Sequence, residues 1–300
     1  MRYMVWLFIA SVCLVSCSFN RQFYPANKIP PSLAQAKVVF AGGDTTFFNI
    51  GRGFQPVVTG SKNDPASPGY SIESIIFQNR AGKNLVGWFI QPRNKIKPET
   101  TVLFLHGNGG NILTELPSAL QLVKHGMQVY IFDYSGYGFS EGKPKRQRIL
   151  YDAEDALKVL RKRSVVKNTR MVIYGQSLGG HLAGVVAGRN EDLVDGIVIE
   201  GGFSSHKDIS AHQLGPFGFI ARLLVREGYC AKKAIRNYHK PLLVVHSTED
   251  EIVPYSMGQK IYANANAPKT FYEIRHKHIR GLVYYADSIT YRMRAMLGSK

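Results

Sequence analysis

An α/β architecture, with a mostly parallel central sheet covered by helices on both faces, is predicted by three features of the sequence. From Tyr70 onward, short apolar runs alternate with segments of helical spacing, the pattern of strands joined by crossover helices. The runs are continuously apolar rather than alternating, which strands buried on both faces require. Ahead of them stand two strand-like runs around a tight turn, an antiparallel start to the sheet.

The elements follow in order. Ser71 to Gln78 and Leu85 to Gln91 flank the turn-rich segment Asn79 to Asn84 and predict a hairpin. Buried strands are predicted at Thr101 to Leu105, Gln128 to Phe132, Arg170 to Tyr174, Gly196 to Ile199 and Leu242 to Val245, and a further strand at Thr270 to Ile274. Helices are expected at Leu113 to Lys124, Ile149 to Arg161, Gly180 to Gly188 and Leu282 to Met296. In the second of these, Ala153, Ala156, Leu157 and Leu160 share one stripe. The interval between Ile199 and Leu242 is too short for a large cap domain. Within it, Leu214 to Ile220 and Leu223 to Val225 form an apolar stretch that reads equally as a small lid, a pocket wall or a core helix.

The chain has 300 residues, with 38 Lys and Arg against 21 Asp and Glu, a formal charge of +17. The basic residues are dispersed, with local concentrations at Lys143 to Arg148 and Arg161 to Arg163. No nucleic-acid motif surrounds them and no nucleic-acid partner is expected, which leaves a solvated surface or attraction to an anionic membrane. Met1-Arg2-Tyr3 and the apolar run Met4 to Val15 match the first two regions of a secretory signal, and the run is short for a membrane span. Leu14-Val15-Ser16-Cys17 resembles a bacterial lipobox. That resemblance implies a signal peptide over 1–16, lipidation of Cys17, and a lipid-anchored place in the cell envelope. Ser18 after it resembles the outer-membrane sorting pattern, with the main domain on the periplasmic side. An ordinary signal or short anchor with an incidental Cys17 is the alternative. Residues 17–68, rich in Pro, Gly, Asn and Ser, read as a lipidated tether and N-terminal arm, and 69–300 as the main domain. Of the three cysteines, Cys13 leaves with the signal and Cys17 carries lipid, so Cys230 remains alone and no disulfide framework is expected.

Three segments carry the chemistry. Gly175-Gln176-Ser177-Leu178-Gly179 has the form G-x-S-x-G between the strand ending at Tyr174 and a Gly/Ala-rich helix. A nucleophilic serine on a tight strand-to-helix turn needs small neighbours, and the helix N-terminus favours a developing oxyanion. Leu105-His106-Gly107-Asn108-Gly109-Gly110-Asn111 follows a strand and is able to turn a backbone N–H toward a substrate carbonyl, pairing with the N–H of Leu178. His106 itself reads as structural. The third is Asp133-Tyr134-Ser135-Gly136-Tyr137-Gly138-Phe139-Ser140-Glu141-Gly142-Lys143-Pro144.

Together these resemble the α/β-hydrolase fold, and the last closely resembles the D-Y-R-G-Y-G-x-S-x-G-x-P segment of ABHD-type hydrolases, with Ser135 where Arg is usual. That group includes depalmitoylase-like and Bem46-like proteins, and the resemblance runs from about Tyr70 to Leu297. It implies Asn108 as the loop donor of the oxyanion hole and an order of Ser, acid, His along the chain. His246-Ser247-Thr248-Glu249-Asp250-Glu251-Ile252-Val253-Pro254 resembles the family's H-G-x-x-D-x-x-V-P and implies Asp250 as the acid, with Ser247 replacing Gly. For the base, register favours His278, with His276 as rival, since Arg275-His276-Lys277 stands where the family has a Gly-containing turn. No other histidines form a zinc-site spacing with Cys or Glu, so neither metal nor cofactor is expected.

The implied activity is cleavage of a carboxylic ester or thioester, in a small-molecule or acylated substrate, through an acyl-enzyme on Ser177. A peptidase of the same fold and a non-catalytic binding or assembly lipoprotein are the competing readings.

Overall fold

A computed structural model describes Tyr24 and residues 27–40, 42–61, 69–93 and 97–298. The signal-like segment 1–16 and Cys17 lie outside the described residues.

The predicted strands are all present. They are β4 (Tyr70–Gln78), β5 (Asn84–Pro92), β6 (Thr100–Leu105), β7 (Gln128–Phe132), β8 (Arg170–Gln176), β9 (Gly196–Glu200), β10 (Leu242–Ser247) and β11 (Lys269–Ile274). They form one sheet in the order β11-β10-β9-β8-β6-β7-β5-β4. Pairing is parallel from β11 through β7 and antiparallel only where β5 meets β7 and β4.

Because strand side chains alternate between faces, each continuously apolar run feeds two cores at once. Leu103, Leu105, Tyr130 and Phe132 point into one core, with α2 (Arg146–Arg161) and α3 (Leu178–Arg189). Val102, Phe104, Val129 and Ile131 point into the other, with α1 (Ile112–Lys124). No polar face is left on these strands, which is why their runs read as unbroken.

Preceding this sheet is a separate three-stranded antiparallel one: β1 (Gln35–Val39), β2 (Thr45–Ile50) and β3 (Pro56–Ser61). Its inward residues Ala36, Val38 and Phe48 join the α1-side core, and the alternate positions on β1 and β2 are exposed. The arm expected over 17–68 thus includes a folded layer, which composition had not indicated.

One helix differs from expectation. The predicted Leu282 to Met296 is two helices, α8 (Gly281–Tyr284) and α9 (Ala286–Leu297), numbered after the short α4 (His206–Gln213), α5 (Gly218–Leu224), α6 (Ala231–Ala234) and α7 (Tyr255–Asn264). The break falls at Tyr285 (φ −129°, ψ 23°). Its N–H donates to Gly281 O at 2.7 Å and its hydroxyl to Arg275 O at 3.0 Å, so the kink is tied to the loop before it. Among the described residues, no helix is long and apolar enough to cross a membrane.

Candidate active site

The chemistry-bearing residues gather where β6, β8, β9 and β10 end, the usual place for a site on an open parallel sheet. Ser177 occupies the single residue between β8 and α3, at φ 55° and ψ −113°. A non-glycine residue there costs about 1–3 kcal/mol and persists only if its surroundings impose it. They do. The Ser177 N–H donates to Glu200 O at 2.9 Å, and its C=O accepts from His181 N–H at 3.0 Å. The flanking glycines leave no alternative: a Cβ on Gly175 would lie 2.1 Å from Gly179 O, and one on Gly179 1.8 Å from Leu105 O. The pentapeptide is therefore a packing requirement at both ends.

Facing it is the loop after β6. His106 is fully buried, with Nδ1 2.8 Å from Gly107 O, and burial pulls its pKa down to about 4. It is a neutral structural residue, as expected. Tyr134 OH donates to His106 O (3.0 Å) and Tyr137 OH to Asn108 Oδ1 (2.8 Å). From the N-terminal arm, Asn27 Nδ2 donates to Gly109 O at 2.6 Å. Asn111 caps α1 by accepting from Leu113 and Thr114 N–H. Among the described residues no protein acceptor takes the Asn108 N–H, and the Leu178 N–H opens α3, where a helix leaves its donors unpaired.

The segment Asp133 to Pro144 braces this loop. The buried Asp133 carboxyl accepts from Ile112 N–H (2.9 Å) and Phe139 N–H (3.0 Å), and burial raises its pKa to about 7 against those bonds. Ser135, where Arg is usual, gives its N–H to Asp152 Oδ2 at 2.8 Å, and Asn79 Nδ2 reaches Asp152 Oδ1 at 2.6 Å.

The acid and histidine loops meet through one short contact. His278 Nδ1 lies 2.7 Å from Asp250 Oδ2, with the Asp250 side chain 1% exposed. Asp250 also accepts from the N–H groups of Ile252 (2.9 Å) and Val253 (2.8 Å). Burial opposes its ionisation, but the bond and charge of His278 and the two amides outweigh burial and hold its pKa below the ordinary carboxylate range. His276, the rival, turns away and stacks on Tyr284 at 3.9 Å between ring centroids. Ser247 explains the missing glycine turn, since its hydroxyl bonds both the N–H and the C=O of His276, joining the acid strand to the histidine loop.

The strand end Glu200–Gly201 links serine to histidine: Glu200 O receives the Ser177 N–H, and a Cβ on Gly201 would lie 3.2 Å from His278 Cε1. Among the described residues, no hydrogen bond engages the Ser177 hydroxyl or the His278 Nε2 edge. A cavity of about 580 Å³ adjoins this point, with His278, Ile279, Glu115, Ile252 and Phe40 in its wall. It opens on the histidine side, and Ser177 is not in its lining.

Two carboxyls here were not foreseen. Glu200 is buried, accepting from Tyr174 OH (2.6 Å), Gln176 Nε2 (2.8 Å) and Gly281 N–H (2.6 Å), and its pKa is raised by burial. It ties β8 to the start of α8. The signal was an acid ending an otherwise apolar strand, Ile197-Val198-Ile199-Glu200. Glu115, in the cavity wall, is pushed up to about 7, mainly by burial and then by Glu200. Among the described residues, no cluster of three or more His, Cys, Asp or Glu is arranged to hold a metal.

The depressed Asp250 carboxyl has a consequence for stability. Its contribution is fully present above the ordinary carboxylate pKa of about 4 and is lost as pH falls through its lower folded value. Urea unfolding from about pH 6 to pH 3 should show wild type more stable than Asp250→Asn at the upper end, with the gap closing on acidification. A gap that stays constant would mean that the carboxyl is not depressed.

A family model described as "Serine aminopeptidase, S33" matches residues 96–226. The uncharacterized protein YfhR of Salmonella typhi is 33% identical over 213 residues, covering 66% of this chain and 70% of YfhR. The alpha/beta hydrolase domain-containing protein WAV2 of Arabidopsis thaliana is 33% identical over 234 residues, covering 71% and 74%. Among solved structures, the Pyrococcus furiosus esterase Pf2001 superposes with a TM-score of 0.61 at 18% identity, covering 76% of this chain and 92% of that one, a likeness of fold. The order of strands, the serine turn at the end of β8 and these relatives lead to one conclusion: the chain belongs to the α/β-hydrolase superfamily and is a hydrolase of that fold.

Proposed function

We propose that this chain is a serine hydrolase that cleaves carboxylic esters or thioesters through an acyl-enzyme, with Ser177 as nucleophile, His278 as base and Asp250 as orienting acid. The observation that carries the reading is the 2.7 Å contact from His278 Nδ1 to Asp250, which leaves Nε2 as the basic edge; a serine on a strained turn and two unpaired backbone donors complete the set.

In the proposed reaction the Ser177 hydroxyl attacks the carbonyl carbon and passes its proton to His278 Nε2. Asp250 holds the tautomer that keeps Nε2 unprotonated and stabilises the imidazolium that follows. The N–H groups of Asn108 and Leu178 receive the oxyanion, where such a donor contributes roughly 3–4 kcal/mol of transition-state stabilisation. The intermediate collapses as the alcohol or thiol leaves with the proton from His278, and water, deprotonated by the same histidine, cleaves the acyl-enzyme.

Residues 1–16 are proposed as a signal peptide and Cys17 as a lipidation site, tethering the enzyme to the periplasmic side of the outer membrane.

The peptidase reading has one point in its favour, the aminopeptidase description of the matching family model. A rate series on p-nitrophenyl esters and acyl thioesters of increasing chain length, with amino-acyl p-nitroanilides alongside, separates the two. Ester and thioester turnover well above anilide turnover is expected; the reverse order would favour the peptidase.

A further inference from the structure

The segment inserted between β9 and β10 carries a solvent-facing apolar patch with no role in the chemistry above. Over Leu214 to Leu223, from the residue after α4 through most of α5, Phe217 and Phe219 are each 64% exposed and Leu223 79%, with Leu214 and Ile220 also exposed. Five large apolar side chains in ten residues are not the scattered exposure normal for a surface. Between Asp208 and Glu227 the sequence has no acidic residue; Arg222, exposed although its guanidinium reaches Asp208 Oδ1 at 3.5 Å, and the exposed Arg226 stand within and beside the apolar run. Aromatic and aliphatic side chains flanked by arginine suit the interface of an anionic bilayer.

The path of the chain points to the same occupant. Tyr24 bonds His206 Nε2 through its hydroxyl at 2.8 Å, so the N-terminal arm reaches the domain at the base of α4. Seven residues upstream is Cys17, preceded by the apolar run Met4 to Val15. Seven extended residues span at most about 25 Å, so anything that holds position 17 at a membrane also holds α4 and α5 near it.

We propose that the Leu214–Leu223 face seats on an anionic phospholipid surface, with Phe217, Phe219 and Leu223 entering the interface and Arg222 and Arg226 meeting the headgroups. This names the face that meets the bilayer in the membrane-tethered reading above; it requires neither lipidation of Cys17 nor catalysis by Ser177.

The test uses the full chain carrying Trp6→Phe, which leaves the buried Trp88 as a constant background. Tryptophan is placed by Phe219→Trp, or by Tyr291→Trp on the exposed part of α9 as control. Each protein is mixed with phosphatidylglycerol/phosphatidylcholine vesicles containing brominated acyl chains, and flotation is scored in parallel. Phe219→Trp should shift to shorter wavelength and be quenched by the bromines, and Tyr291→Trp should not. A chain that floats while the tryptophan at 219 is unquenched overturns the proposal and leaves the tether reading standing. A chain that does not float, or a blue shift that needs no vesicles and grows with protein concentration, also overturns it, the latter in favour of a second copy as occupant. Retained fluorophosphonate labelling of the Phe219→Trp protein shows that the fold and the serine site are intact in either case.

Discussion

Replacing His278 with alanine is expected to lower kcat/KM for p-nitrophenyl ester hydrolysis by about 10⁵-fold, because nucleophile and base act as a unit. His276→Ala is expected to stay within about tenfold of wild type. The contrast follows from what holds each residue. The His276 side chain stacks on the partly exposed Tyr284, and the position of its loop is set by Ser247 gripping the backbone N–H and C=O, which alanine retains. The His278 ring is the group bonded to Asp250, and alanine removes it. Parallel kinetics on the two variants decide the assignment, and an inactive His276→Ala beside an active His278→Ala would reverse it.

The second large effect is structural. Gly179→Ala places a methyl 1.8 Å from Leu105 O and 2.9 Å from His106 O, both main-chain atoms where β6 passes into the following loop. No rotamer relieves this, so the end of β6 or the start of α3 must move. The expected cost is roughly 3 kcal/mol, along with loss of activity as the two proposed oxyanion donors separate. Gly109→Ala is the matched control, since a Cβ there meets nothing within 4 Å. Its unfolding free energy should stay within about 0.5 kcal/mol of wild type. Urea unfolding of both variants gives the comparison, and a Gly179→Ala protein as stable as Gly109→Ala would show that the turn is less tightly packed than these distances require.

The parts of this structure legible in the sequence are those where one physical demand acts on consecutive residues. Strands buried on both faces leave no polar alternation, so β6 to β10 stood out as runs. Ser177 was legible because its turn forbids side chains at both 175 and 179. The β1–β3 sheet was not, although Ala36, Val38, Thr46 and Phe48 do alternate inward. Its strands form no continuous apolar run, and Gly42-Gly43 and Gly51 to Gly53 break the pattern into fragments that read as loop. The division at Tyr285 depends on a hydroxyl reaching back to Arg275, a contact that helical spacing does not encode. His276 and His278 sit two residues apart in near-identical surroundings of sequence, and only the fold brings one of them to Asp250. For Leu214 to Leu223, apolar spacing is the same whether a helix faces a core or solvent, so its exposure had to be seen. Glu200 left a signal as an acid closing an apolar run, whereas Glu115 becomes notable only through its place in the cavity wall.

The account rests on Ser177 being the nucleophile, and intact-protein and peptide mass spectrometry after fluorophosphonate treatment tests that most directly. One adduct is expected, on the peptide containing Ser177, absent in Ser177→Ala and much slowed in His278→Ala. An adduct on another residue, or a folded protein that takes up none, would contradict the account.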